Sequence, residues 1–128
     1  MPKILIDTSI IIDYLRQKDK SKTLLYYFAS HQYQIYISII THAESYAGKS
    51  IWEKKEAMEI LEKLILNMKI LPLEEKISKK AGQISAENNS LDIADAIIAA
   101  TAMNHKLTLA TLNIKDFEDI EGIKLFRE

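Results

Sequence analysis

The sequence ADAIIAATAMNHKLTLATLNIKDF occupies residues 94–117 and carries one acidic residue near each end, Asp95 and Asp116. Residues 92–104 are almost entirely small or apolar, which predicts a helix that is buried on most sides. LTLA at 107–110 predicts a strand. Asp95 has no Lys or Arg within ten residues on either side. A carboxylate at the edge of a buried helix therefore needs a partner from elsewhere in the chain.

Short apolar runs alternate with helical patterns in the rest of the chain, in the order β-αα-β-αα-β-αα-β-β. Strands separated by helices predict an α/β fold of three layers, with helices on both faces of a central, mainly parallel sheet of four to five strands. Besides 107–110, we expect strands at 3–6, 35–39, 69–71 and 123–126. Helices are expected after Asp7 and near 21–31, 41–47, 52–67 and 74–88.

The composition excludes several classes of protein. The 128 residues include three glycines, two prolines and no stretch resembling a linker, which predicts a single domain over 1–128. Cysteine is absent, so disulfides and thiolate metal sites are excluded. No apolar run is long enough for a membrane span and no signal-peptide pattern is present, so we expect a cytoplasmic protein. The net charge of −1 argues against a sequence-reading DNA-binding module.

Four acids stand where an apolar run gives way to another pattern: Asp7, Glu44, Asp95 and Asp116. In sheets of this class, sites lie beyond the carboxyl ends of the strands, so these side chains are expected at one end of the sheet. A cluster of carboxylates without matching cations is repulsive, and it becomes stable when it holds a hard divalent ion.

Each acid also has a structural interpretation. Asp7 can cap the helix that follows it. Glu44 matches a capping box that begins at Thr41. Asp92 and Asp95 lie at a helix start, where they favour the helix dipole, and this explanation suits Asp92 better.

Asp116 can be a loop acid or the cap of a short turn. Thr111 and Asn113 precede it at a strand end, where polar side chains are suited to hydrogen-bond the groups of a site.

Three segments are similar to a known family: ILIDTSIIIDYL at 4–15, SIITHAES at 38–45 and the stretch at 94–117. The chain resembles a PIN domain, specifically the VapC toxins of prokaryotic toxin–antitoxin pairs. The resemblance implies a metal-dependent ribonuclease with one or two Mg²⁺ or Mn²⁺ ions. The matching catalytic and metal-binding positions are Asp7, Glu44, Asp95 and Asp116.

The resemblance also implies a supporting set: Thr8, Ser9, Asp92, Thr111 and Asn113. One position departs from the family, because Leu112 stands where a basic or polar residue is common. We expect the reaction to tolerate this departure, with the loss of a local RNA contact.

The partners implied by the resemblance are an RNA substrate, structured RNA such as tRNA, a cognate antitoxin and a second copy of the chain. The aromatic residues at 26–28 and Trp52 are candidate antitoxin contacts, although core packing explains them equally well.

Two other functions stay open on sequence grounds. A receiver-type phosphoacceptor module needs an acidic pair after the first strand and an Asp ending a middle strand, but Asp7 stands alone and IYIS ends in Ser38. A catalytically silent PIN-like binding protein is the other alternative.

Overall fold

Four parallel strands form the central sheet in the computed structural model, which describes all 128 residues. Their order across the sheet is β3-β2-β1-β4. The first strand of the chain therefore lies inside the sheet, paired with the last strand on one side and the second on the other. The strands are β1 (Lys3–Ile6), β2 (Gln34–Ser38), β3 (Lys69–Leu71) and β4 (Thr108–Ala110).

Helices cover both faces of this sheet, which confirms the predicted three-layer α/β fold. Successive β1 residues point to opposite faces. Leu5 joins a core with the helices at 75–87 and 93–104, whereas Ile4 and Ile6 join a core with the helices at 8–16, 24–30, 49–53 and 55–66. The helices are α1 (Thr8–Arg16), α2 (Leu24–Ser30), α3 (Ile39–Ser45), α4 (Lys49–Glu53), α5 (Lys55–Leu66), α6 (Glu75–Glu87), α7 (Ile93–Asn104) and α8 (Ile114–Phe117).

The apolar helix predicted over 92–104 is α7, and it is buried as expected. Ala96, Ala99, Ala100 and Ala102 are each fully buried. Because alanine side chains are small, α7 packs closely against α6 and carries its N-terminus to the sheet edge. No helix in the chain has both the length and the apolar character needed to cross a bilayer.

The strand predicted at 123–126 is wrong. Leu125 forms only an isolated bridge with Leu109, supported by hydrogen bonds from Leu109 N to Lys124 O and from Phe126 N to Leu109 O. The turn at Gly122, where φ is +87°, precedes it. The segment therefore touches the edge of β4 without extending the sheet beyond four strands.

Three helices also differ from the sequence prediction. The helix expected near 21–31 begins at Leu24, with Thr23 as its cap, after a short 3-10 helix at Lys20–Lys22. The helix predicted at 52–67 is two helices, α4 and α5, separated by an extended residue, Lys54. The helix predicted to begin at Thr41 begins at Ile39, with Ser38 as its cap. Ser38 pairs with Leu71 as the last residue of β2. The helix begins at the next residue, so Thr41 lies inside the helix and not at its start.

Candidate active site

Asp7 occupies the junction of strand and helix at the centre of the carboxyl edge. Its backbone N–H donates to Ala110 O at 3.1 Å, which continues the pairing of β1 with β4 by one residue. Its side chain caps α1 by accepting from Ser9 N. Only 3% of Asp7 is exposed, so this carboxylate is buried and the capping interpretation is correct alongside any other role.

Both carboxylate oxygens of Asp7 accept hydrogen bonds. Oδ1 accepts from the backbone N–H of Ser9 at 3.0 Å and from Ser9 Oγ at 2.5 Å. Oδ2 accepts from Thr111 Oγ1 at 2.5 Å. Burial raises the pKa of Asp7 above its usual value, whereas these hydrogen bonds act in the opposite direction.

The two hydroxyls that contact Asp7 are themselves oriented by backbone amides. Leu112 N donates to Ser9 Oγ at 3.0 Å, and Asn113 N donates to Thr111 Oγ1 at 2.9 Å. A hydroxyl that accepts from an amide directs its own proton elsewhere, here to Asp7. The loop after β4 thus orients the Asp7 carboxylate through two chains of hydrogen bonds, one through Ser9 Oγ and one through Thr111 Oγ1.

Glu44 lies on α3 and takes part in a separate contact. Thr8 Oγ1 donates to Glu44 Oε1 at 2.6 Å and lies 3.2 Å from Thr41 Oγ1. The capping-box interpretation of Glu44 is wrong because Ser38, three residues before Thr41, caps this helix. The Glu44 carboxylate is therefore not used in capping and is free to take part in a site at the sheet edge. Thr41 is a buried residue of this site, and the sequence did not reveal its role.

Asp92 and Asp95 have different positions at the start of α7. Asp92 is the exposed N-cap, and its Oδ1 accepts from Asp95 N at 2.8 Å. Asp95 is partly buried one turn further on. The pKa of Asp95 is raised to about 6 by burial and then by four negative charges, those of Asp92, Asp7, Glu44 and Asp116.

Asp95 therefore lies within electrostatic reach of the other three acids, Asp7, Glu44 and Asp116. Asp116 lies on the short helix α8 and is exposed. Asn113 precedes α8 and contributes its backbone N–H, with no hydrogen bond from its side chain to the rest of the chain. The predicted support from Asn113 is thus a main-chain contact.

The donor set suits a hard cation by its chemistry, since every converging group is an oxygen ligand. No group of three or more acidic or histidine side chains lies close enough together to hold a metal ion. A Mg²⁺ ion needs only one or two direct carboxylates and keeps several waters, so the open arrangement fits this kind of ion.

The family is established by comparison with known proteins. Residues 4–123 match the PIN domain model, so the chain belongs to the PIN domain family and a receiver-type module is excluded. Two of its relatives are VapC ribonucleases. The chain is 30% identical to ribonuclease VapC10 of Mycobacterium tuberculosis, covering 94% of this chain and 90% of the relative. It is 32% identical to ribonuclease VapC1 of Rickettsia felis, covering 95% and 93%.

A solved structure agrees with this assignment. The chain is similar to a protein in a toxin–antitoxin complex from Klebsiella pneumoniae, with 30% identity, 94% of each chain covered and a TM-score of 0.70. The similarity extends over nearly the whole sheet and its helices, so the acids lie on the shared fold.

Proposed function

We propose that this protein is a metal-dependent endoribonuclease and the toxin of a VapBC-type toxin–antitoxin pair. The observation that carries the proposal is the buried Asp7 carboxylate, which accepts hydrogen bonds from three donors at the edge of the sheet. Glu44, Asp95 and Asp116 add further negative charge at this edge. The ribonuclease names of the relatives support the reaction class.

Asp7 and Asp95 are the residues we propose to hold one or two Mg²⁺ or Mn²⁺ ions, with Glu44 and Asp116 contributing directly or through water. Such an ion supplies an activated water and neutralises the charge that develops on the phosphate. Without a cation, the acidic edge would repel an RNA phosphate.

The chain's own residues orient the carboxylates. Ser9 and Thr111 occupy lone pairs of Asp7 on both oxygens, which fixes the plane of the carboxylate while leaving other lone pairs free. Thr8 holds Glu44 at one oxygen and leaves the other available. Asp92 fixes the first turn of α7 and so the position of Asp95.

Structured RNA such as tRNA is the substrate we propose, with the cytoplasm as the place of action and a homodimer as the assembly. The substrate and the homodimer are implied by the family resemblance, and the cytoplasmic location is inferred from the sequence composition. Cleavage of purified tRNA, followed by mapping of the new ends, tests the substrate.

A cognate antitoxin is the proposed protein partner, in line with the solved complex of a related protein. An apolar groove of about 580 Å³ between α2 and α5 suits an amphipathic segment. Tyr26 lines it and is 47% exposed, and Leu66 is 81% exposed. Phe28 is fully buried, so of the aromatic residues at 26–28 it belongs to the core.

The function is tested with purified protein, RNA and Mg²⁺ or Mn²⁺. Cleavage is expected for the native protein, and loss of at least about 100-fold is expected for Asp7→Asn and for Asp95→Asn. Asp119→Asn is the matched control, because Asp119 is an exposed acid outside the cluster. Retained cleavage in either site variant contradicts the assigned roles, and an inactive native protein favours a catalytically silent binding protein.

A further inference from the structure

A cleft of about 310 Å³ lies beside α1, and Glu44 is the one of the four acids that lines it. Glu44 and Ser45 lie at one end, and Arg16 and Lys20 lie among its other lining residues. Thr8 contacts Glu44 at the start of α1, and Arg16 ends that helix. Thr8 and Arg16 are eight residues apart, or about 12 Å along the helix axis at 1.5 Å per residue. The cleft therefore places Glu44 and the basic residues Arg16 and Lys20 on one surface, a short run of nucleotides apart.

The basic end of the cleft is part of a cationic segment. Residues 16–22, RQKDKSK, contain four basic residues and one acid. Lys20 is committed to the fold, since Nζ donates to Tyr14 O and to Leu15 O at the end of α1. Arg16 is exposed and makes no side-chain hydrogen bond within the chain, so its guanidinium is free to bind a ligand.

The floor between these ends is apolar. Ile12, Leu15, Ile51 and Ile60 line it, and Ser50 adds a hydroxyl. An apolar surface that ends in a cation has the two properties that a single-stranded nucleic acid requires, a place for base and ribose and a charge for the phosphate. Arg16 also has a structural explanation, because a cation in the last turn of α1 interacts favourably with the helix dipole. This explanation does not account for the cleft that Arg16 and Glu44 both line.

We propose that this cleft binds the RNA strand on one side of the cleaved bond, with Arg16 contacting a backbone phosphate. This inference rests on the proposed ribonuclease function and adds to it the direction of the strand. The strand leaves the acidic edge along α1, between α1 and the α3–α4 segment, toward residues 16–22.

The experiment measures binding separately from cleavage. A short fluorescein-labelled single-stranded RNA is titrated in Mg²⁺ with protein carrying Asp7→Asn, and the same titration is repeated in an Asp95→Asn background. Arg16→Gln is expected to weaken binding about five- to tenfold at low salt. The slope of log K against log salt is expected to fall by about 0.7, the value for one phosphate contact on a single strand.

Two further variants distinguish a phosphate contact from a general loss of charge. Arg16→Lys keeps the charge and is expected to restore most of the binding. Arg127→Gln, the matched control at the only other arginine, lies outside the cleft and is expected to leave the slope unchanged. In otherwise native protein, Arg16→Gln is expected to raise KM with little change in kcat.

Equal affinities and slopes for Arg16→Gln and Arg127→Gln overturn the inference, even when the native protein cleaves RNA. Loss of antitoxin binding in Arg16→Gln with unchanged RNA binding also overturns it and assigns the cleft to the antitoxin. Absence of cleavage by the native protein contradicts the proposed function instead, and the binding titration still reports on the cleft.

Discussion

Thr111 Oγ1 donates to Asp7 Oδ2 over 2.5 Å, a side-chain contact between residues that are 104 positions apart. It joins the ends of two neighbouring parallel strands, β1 and β4, directly at the acidic edge. Both partners are 3% exposed, so water does not replace the hydrogen bond when it is lost.

Thr111→Val is expected to reduce RNA cleavage about 10- to 100-fold, the usual effect of removing a group that orients a metal ligand. Valine has nearly the same shape as threonine, so the packing is kept. The hydrogen bonds from Asn113 N to the Thr111 hydroxyl and from this hydroxyl to Asp7 are both lost. Cleavage rates in Mg²⁺ check this result. Thr111→Ser restores the hydroxyl and serves as the control, and equal activity of the Val and native proteins would contradict this role of the hydroxyl.

Asp95→Asn is expected to stabilise the metal-free protein at neutral pH. The pKa of Asp95 is raised to about 6 in the fold, so the native state binds the proton more tightly than the unfolded state does. Stability contributed by the protonated form is therefore lost as pH rises from about 4 through 6. Because the side chain is partly exposed and screened by solvent, we expect a gain of about 1 kcal/mol in the variant at pH 7.

Urea unfolding in EDTA at pH 7 and at pH 4 measures this difference. The two proteins are expected to have similar stability at pH 4, where Asp95 is protonated. A variant that is less stable than the native protein at pH 7 would show that another group compensates the charge of Asp95.

Substitutions at Asp92 are expected to distinguish its role as the N-cap of α7 from the effect of its negative charge on Asp95. Asp92→Asn keeps a good N-cap and is expected to change the stability little, whereas Asp92→Ala loses the bond to Asp95 N and about 1 kcal/mol. Both variants remove the second cause of the raised Asp95 pKa, so titration of Asp95 by NMR is expected to give a lower value in each. An unchanged value in Asp92→Asn would contradict the electrostatic contact.

The contact between Thr8 and Glu44 is expected to couple the two residues energetically. Thr8→Val, Glu44→Ala and the double variant form a cycle in which we expect a coupling of about 0.5–1 kcal/mol in urea unfolding. The Asp13→Asn variant paired with Thr8→Val gives the control, because Asp13 contacts Gln17 instead. Additive effects in the first cycle would show that the hydrogen bond contributes nothing to stability.

The position of Asp7 beside the residues after β4 could be predicted because it depends on local patterns. Apolar runs locate β1, β2 and β4, parallel strands share a carboxyl edge, and so Asp7 and the residues after Ala110 must meet there. The sequence also identified Asp92 as the more plausible cap, and the structure places it at the N-cap of α7.

The features that could not be predicted from the sequence are those that depend on contacts between residues far apart in the chain. Ser38 and Thr41 are both good caps, and pairing of Ser38 with Leu71 selects the first of them. The pattern IKLF fits a strand, but only Leu109 is available to pair with it. Hydroxyl directions at Ser9 and Thr111 depend on the loop after β4, which no local periodicity describes.

The position of β1 between β2 and β4 has a consequence for synthesis. Asp7 leaves the ribosome early, but Thr111, Asp116 and the strand that covers one side of β1 are made about a hundred residues later. A chain interrupted before residue 107 lacks β4, one of the four acids (Asp116) and the hydrogen bond from Thr111 to Asp7. Under the proposed function, the nascent toxin is harmless to the messenger and the ribosome that produce it until translation is nearly finished.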